Sequence, residues 1–326
     1  MDLSRKTSQM QIKLTDVPGI LVGHYTNVQA GTGCTVVLGP EAGMRGAAFV
    51  RGRATGTREL NVLSPRHLVS NIHALLLTGG SAYGLGAADG VMRWLSERGR
   101  GFDVGVGVVP LVPAAVIFDL AFGEVGWPTP DDAYAACDAA GHEFDEGSVG
   151  AGTGATVGKV LGAQGMMKSG VGSWAERRGE VIVGALAVVN AYGDVRDADG
   201  GILAGARGPD GFVDARSYLT RGGAPGGGFN REGANTTLVV VTTNANVSRI
   251  GLRSVAQMAA DAMSQRITPV GTAYDGDVVF AVSAGQVEPS SNLEVELLAQ
   301  YATAIAIERA VWQAVGTESV PGLGER

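Results

Sequence analysis

Asn235-Thr236-Thr237-Leu238-Val239-Val240-Val241-Thr242-Thr243 changes character at its second residue, from a turn former to a run of β-branched and apolar side chains. β-branched residues crowd a helix and suit a pleated sheet, so the run reads as a buried strand. The segment before it, Gly222 to Ala234 (GGAPGGGFNREGA), is loop-like. A hydroxyl residue where such a loop feeds a buried strand is placed as a self-cleaving N-terminal nucleophile requires. Breaking the Asn235–Thr236 bond would give Thr236 a free α-amine beside its own hydroxyl. A terminal amine titrates near about 7.7–8.0, so one residue can supply nucleophile and base. A plainer reading stands beside this one: Asn turns well and Thr favours strands. Asn235-Thr236-Thr237 and Asn246-Val247-Ser248 also fit the N-glycosylation pattern, which needs a secreted chain. Met1 to Lys13 has no apolar core of a signal peptide.

The rest of the chain supplies other short apolar runs. Ile20 to Val22, Thr35 to Leu38, Ala47 to Val50, Ala74 to Leu77, Val181 to Val189 and Val278 to Val282 read as strands. Leu85 to Glu97, Ile250 to Gln265 and Leu293 to Val315 read as helices. Gly99 would stop the first, and a Ser291/Glu294 capping box would open the last. Leu297, Tyr301, Ile305 and Trp312 lie near one face of that last helix. Strands and helices mixed throughout predict a layered α/β or α+β fold. The polar, glycine-rich stretch Asp194 to Ala234 is the best internal boundary.

Composition narrows the function classes. Across 326 residues, 45% are hydrophobic and 17% charged, which predicts a sizeable core rather than disorder. Glycine, 51 residues spread along the chain, is about twice its usual share and points to tight turns and close backbone packing. The net charge of −7 without a basic run argues against nucleic acid. No stretch nears the roughly 18 apolar residues of a membrane span. Cys34 and Cys137 alone suggest a reducing, cytoplasmic setting without a disulfide framework. His24, His67, His73 and His142 lack metal-ligand spacing, so no metal is expected.

Four further features could carry chemistry. Leu77 to Leu85 (LTGGSAYGL) is a strand–turn–helix junction whose N–H groups could face developing negative charge, or serve only as a packing turn. Gly152 to Lys159 (GTGATVGK) mimics a phosphate loop, but its glycine spacing is wrong and Val160 stands where magnesium needs a hydroxyl. Lys159 itself, among small residues, would by pattern sit in an exposed loop, or else meet a carboxylate if buried. Asp275-Gly276-Asp277 is a hairpin signal, yet its carboxylates could also orient a threonine amine or hydroxyl. Asn190 ends a strand, as turn residue or oxyanion donor.

Together these segments resemble the self-processing N-terminal nucleophile hydrolases that include L-aminopeptidase/D-esterases, β-peptidyl aminopeptidases and nylon-oligomer hydrolases. The resemblance spans nearly the whole chain, in family order: Thr15 to His24, the GGSAYGL segment, Val112 to Asp119, Gly158-Lys159, Ala187 to Asn190, Asn235-Thr236-Thr237, and Asp275 to Val282. The nylon-oligomer branch is the most similar, since there the cut falls between Asn and Thr. It implies a four-layer αββα sandwich, an α chain (1–235) and a β chain (236–326) of a single domain, and a homo-oligomer of such pairs. It implies a catalytic set of Thr236, Lys159, Asn190, Asp275 and Asp277, with Gly80, Ser81, Tyr83 and Phe118 as substrate or oxyanion positions. No cofactor or metal would be needed, and the substrate would be a small linear amide or oligoamide. The aminopeptidase branch differs: it uses serine, and a glutamate that grips the substrate amine falls on Val116, followed by a tyrosine at Phe118. An aminopeptidase or esterase is therefore the second reading, and an unprocessed binding protein with this fold the third.

Overall fold

The computed structural model describes residues 12–224 and 235–325; most of the Gly222–Ala234 segment and the first eleven residues lie outside them. The framework elements are β1 (Leu21–Asn27), β2 (Thr32–Leu38), β3 (Met44–Val50), β4 (Thr57–Arg58), β5 (Asn71–Ile72), β6 (Ala74–Thr78), α1 (Ala88–Glu97), β7 (Ala114–Val116) and α2 (Pro130–Asp138). After these come β8 (Val171–Arg178), β9 (Val181–Asn190), β10 (Thr236–Ala245), α3 (Arg249–Arg266), β11 (Val278–Val287) and α4 (Asn292–Trp312). One sheet has the order β1-β2-β6-β7-β4 and the other β8-β9-β10-β11-β3-β5. β10 runs antiparallel to β9 and parallel to β11. A parallel pair needs a crossover, and α3 supplies it.

Side chains of β10 explain the layering. Successive residues of a strand point to opposite faces. Leu238 and Val240 join Leu186, Val188 and Phe280 in packing against Val22, Val37, Leu75 and Leu77 of the other sheet. Val239 and Val241 face the other way, onto Leu252, Val255 and Met263 of α3 and Val295, Ala299 and Ala306 of α4. A third core joins Val36, Leu76 and Ala114 to Val91 and Leu95 of α1 and Ala133 and Ala136 of α2. The layers are therefore helix, sheet, sheet, helix, as the resemblance implied. A strand covered on both faces must be apolar throughout rather than alternating, which is why 238–241 is an unbroken apolar run.

Two expectations need correction. Leu297, Tyr301 and Trp312 of α4 are 50%, 48% and 49% exposed, while Ile305 is buried. The inward face of α4 is instead built from Ala299, Ala302, Ala306 and Ala310, because small residues let the helix lie close to the sheet. The capping box is half formed. Ser291 Oγ accepts from the Glu294 N–H at 3.2 Å, but the Glu294 carboxylate turns to Ser290.

Asp194–Ala234 is no boundary where it is described. The buried Asp194 carboxylate accepts the N–H groups of Ala206 (2.9 Å) and Ala215 (2.7 Å), and Asp194 pairs with Thr268. Buried and unpaired, Cys34 and Cys137 lie in the third core. Among the described residues no helix is long and apolar enough to cross a membrane.

Close approach also accounts for particular glycines. A Cβ at Gly172 of β8 would overlap the Ala306 carbonyl oxygen and the Ala310 nitrogen of α4. Gly172→Val should therefore force α4 off the sheet at a cost of about 3 kcal/mol. A thermal unfolding scan checks this; an unchanged midpoint would mean the helix can shift freely.

Candidate active site

The head of β10 is where three distant segments meet. The β9–β10 ladder ends by pairing Asn190 with Thr236. On the other edge, Asn235 bridges Asp275 just before the β10–β11 ladder begins at Leu238 and Val278. Thr236 thus has Asn190 on one side and the Asp275–Asp277 segment on the other. The predicted hairpin at Asp275-Gly276 does not form; both carboxylates are buried and the segment leads into a strand parallel to β10.

Lys159 is the clearest departure from the pattern-based reading: it is 1% exposed, not a loop lysine. Gly158, at φ +70°, turns the chain there, and a side chain on it would overlap the backbone of Gly205 and Ala206. Lys159 Nζ donates to Asn190 Oδ1 at 2.7 Å and to the Asn190 carbonyl at 3.2 Å. Asn190 Oδ1 also accepts the Thr156 N–H (3.2 Å), and Nδ2 donates to the Phe118 carbonyl (3.0 Å). An ammonium on one end and a carbonyl on the other leave the amide a single orientation.

Thr236 Oγ1 donates to the Asn235 carbonyl oxygen at 2.6 Å, and that oxygen also accepts the Gly276 N–H at 2.7 Å. Asp277 accepts from the Thr237 N–H (2.7 Å) and the Gly271 N–H (3.1 Å). The Asp275 carboxylate accepts from the Thr272 N–H (2.8 Å) and hydroxyl (2.7 Å). Neither carboxylate is hydrogen-bonded to the Thr236 hydroxyl; they brace the backbone around it.

Burial dominates the proton affinities. It lowers Lys159 to about 7, against the pull of Asp275 and Asp119. Burial raises Asp277, and neighbouring Asp275 raises it further. Asp275 is raised by burial too, opposed by its bonds to Thr272 and by Lys159. Burial therefore shifts two carboxylates up and an amine down within one dry site.

Three donors of the Leu77–Leu85 junction are already bonded within the protein. The N–H of Gly79 is bonded to the Gly33 carbonyl, that of Gly80 to Asp119 Oδ1 and that of Ser81 to the Ile117 carbonyl. Tyr83 is 63% exposed and stacks on Trp127, with ring centroids 4.6 Å apart. Phe118 meets Asn190 through its carbonyl oxygen. Val116 is buried.

Two buried charges were given no role in the sequence reading. Lys168 donates to the carbonyls of Gly152 (3.0 Å), Ala155 (2.9 Å) and Ser169 (2.6 Å), clamping the turn that carries Thr156 to Asn190. Asp119 binds the Gly80 N–H (2.6 Å) and the Thr32 hydroxyl (2.7 Å) and so fixes the chain next to the Phe118 carbonyl. The available signal was a charge alone among small or apolar residues, as in Met166-Met167-Lys168-Ser169-Gly170.

The αββα sandwich is the fold of a solved L-aminopeptidase D-Ala-esterase/amidase from Ochrobactrum anthropi, described as a variant of the Ntn hydrolase fold. That match has a TM-score of 0.69 and 18% identity, and covers 94% of this chain and 88% of that one. The chain belongs to peptidase family S58, whose profile matches residues 13–325, and it is a hydrolase of peptide or amide bonds. An "uncharacterized aminopeptidase" of Mycobacterium tuberculosis (strain H37Rv) is 45% identical over 293 residues, covering 84% of this chain and 82% of that protein. A 6-aminohexanoate-oligomer endohydrolase of Kocuria sp. is 32% identical over 320 residues, covering 92% and 84%.

Burial also lowers Lys168, from 10.5 to about 7. The unfolded chain then binds more protons between about pH 7 and 10.5, so this group's contribution to stability rises with pH across that window. Lys168→Met should strand three carbonyls, cost on the order of 3 kcal/mol, and reduce the gain in melting temperature between pH 7.5 and 9.5. Melting curves at the two pH values test it; an unaltered pH response would mean that Lys168 stays protonated through the window in the folded chain.

Proposed function

We propose that this chain is a self-processing amidohydrolase whose nucleophile is Thr236, released by cleavage of the Asn235–Thr236 bond. The observation that carries this reading is the buried Thr236 hydroxyl lying 2.6 Å from the carbonyl oxygen of the bond to be cut, with Asn190 and Lys159 on one edge of the strand and two aspartates on the other. In self-processing, Thr236 Oγ adds to the Asn235 carbonyl carbon, and the Oγ proton passes to the Thr236 nitrogen as the C–N bond breaks. The resulting ester is opened by water, which returns a proton to Oγ and leaves Asn235 as a carboxyl terminus.

In the mature enzyme Thr236 Oγ attacks a substrate amide carbonyl, and its own amine takes the proton and gives it to the leaving amine. Asn190 is the oxyanion donor, oriented by Lys159, and water clears the acyl-enzyme. Losing such a donor typically costs about 3–4 kcal/mol. Asp275 and Asp277 brace the backbone on either side of Thr236, and Lys159 balances their charge. The substrate class is a linear amide or oligoamide, in keeping with the oligomer endohydrolase relative. The active form is an oligomer of processed pairs in the cytoplasm. The names of the mycobacterial relatives favour an aminopeptidase as second reading. Against it, buried Val116 offers no carboxylate for a substrate ammonium.

Intact mass under denaturing conditions tests the processing step. The 33.3 kDa chain should yield pieces of roughly 24 and 9 kDa, taking mass as proportional to residue count, the smaller one starting at Thr236. Thr236→Ala should stay whole and inactive; an active, cut Thr236→Ala protein would sink the proposal. Asn190→Ala should lower kcat by about 10²-fold or more with KM little changed; a pure KM effect would reduce Asn190 to a structural role. Amide substrates with and without a free amine, compared by kcat/KM, separate the two substrate readings.

A further inference from the structure

Building on the self-processing reading, we infer that the backbone N–H of Gly276 is the oxyanion donor for cleavage of the Asn235–Thr236 bond, a role separate from that of Asn190 in substrate hydrolysis. Among the hydrogen bonds of the described residues, the Asn235 carbonyl oxygen receives two: the Thr236 hydroxyl at 2.6 Å and the Gly276 N–H at 2.7 Å. The hydroxyl is the attacking group and loses its proton during addition. The Gly276 N–H is then the donor that stays on this oxygen as it becomes negative. Among the hydrogen bonds of the described residues Asn190 makes none to this oxygen: Oδ1 accepts from Lys159 and Thr156, and Nδ2 donates to the Phe118 carbonyl.

Glycine at 276 is explained by space rather than by backbone conformation. Gly276 is not among the residues with positive φ. A Cβ there would lie 2.7 Å from Thr236 Oγ1 and 2.7 Å from the Ala54 carbonyl oxygen. Any side chain would therefore press on the nucleophile itself. The donor is also held still before the reaction, as an oxyanion donor must be. The Asp275 carbonyl accepts the N–H groups of Arg53 (2.8 Å) and Ala54 (3.0 Å), and the Asp277 carbonyl those of Arg51 (3.0 Å) and Gly52 (3.1 Å). The Asp275 and Asp277 carboxylates tie the same segment to Thr272, Thr237 and Gly271. In this arrangement the two aspartates act in processing as positioning residues for the N–H between them.

The step balances without a co-reactant other than water. The Oγ–C bond forms, and the carbonyl π pair moves to the oxygen facing Gly276. The pair returns as the C–N bond breaks, and the nitrogen takes the Oγ proton.

The test removes the donor and leaves the shape. Full-length chain is made by cell-free translation with glycolic acid in place of Gly276, converting the Asp275–Gly276 amide to an ester that lacks the N–H. Loss of the 33.3 kDa chain is followed over time beside the parent. A second chain carries the same replacement at Gly39, whose N–H donates to the His73 carbonyl at 3.0 Å outside the site. The expected result is processing slowed by about 10²-fold at 276 and within about twofold of the parent at 39. Parent-like processing of the 276 ester overturns the inference and leaves self-processing intact. Equal slowing of both esters also overturns it, by assigning the effect to general loss of a backbone bond. A parent that never cuts removes the self-processing reading and this inference with it.

Discussion

A strand buried on both faces and paired along both edges must have every polar group at its head satisfied by protein. β10 imposes that constraint on this fold. Its faces are taken by the second sheet and the α3–α4 layer, its edges by β9 and β11. Asn190, Lys159, Asp275 and Asp277 gather there because the ladders end there. The same dryness lowers the proton affinity of Lys159 and raises those of Asp275 and Asp277, since a charged group without water is costly whichever sign it carries. Architecture and reactivity thus have one cause.

The sheet core was legible from residue type. β-branched and apolar runs mark β9, β10 and β11, and an unbroken run is what a doubly covered strand requires. The outward face of α4 was not legible: Leu297, Tyr301 and Trp312 look like a core stripe, but the layer needs small residues where helix meets sheet, so alanine does the packing. Segment 194–224 carries little periodicity because it is organised by one buried carboxylate, Asp194, rather than by an apolar face. A hydrogen-bond hub leaves a single letter in the sequence.

At the site, Thr236 stood out by its place between a loop and a strand. Lys159, Asn190 and the two aspartates drew weight chiefly from the family resemblance, since each alone also fits a loop or turn. Their convergence depends on strand order, β9-β10-β11, which no local pattern encodes. Lys168 and Asp119 were given no role for the same reason. Each acts on backbone, through the Gly152–Thr156 turn and the chain before Phe118, so its effect appears only once those segments are placed beside Asn190.

The position of β10 in mid-sheet has a thermodynamic corollary. Its first residue pairs with Asn190, and its whole length is held between strands from both sides of the Asn235–Thr236 bond. If that bond is cut, the two pieces share one continuous sheet and cannot part without tearing two of its ladders, β9–β10 and β11–β3. Folding of the intact chain is unimolecular, whereas re-forming the sheet from separated pieces is bimolecular and depends on their concentration. Processing would then convert a reversible fold into one retained largely by the slowness of its unfolding.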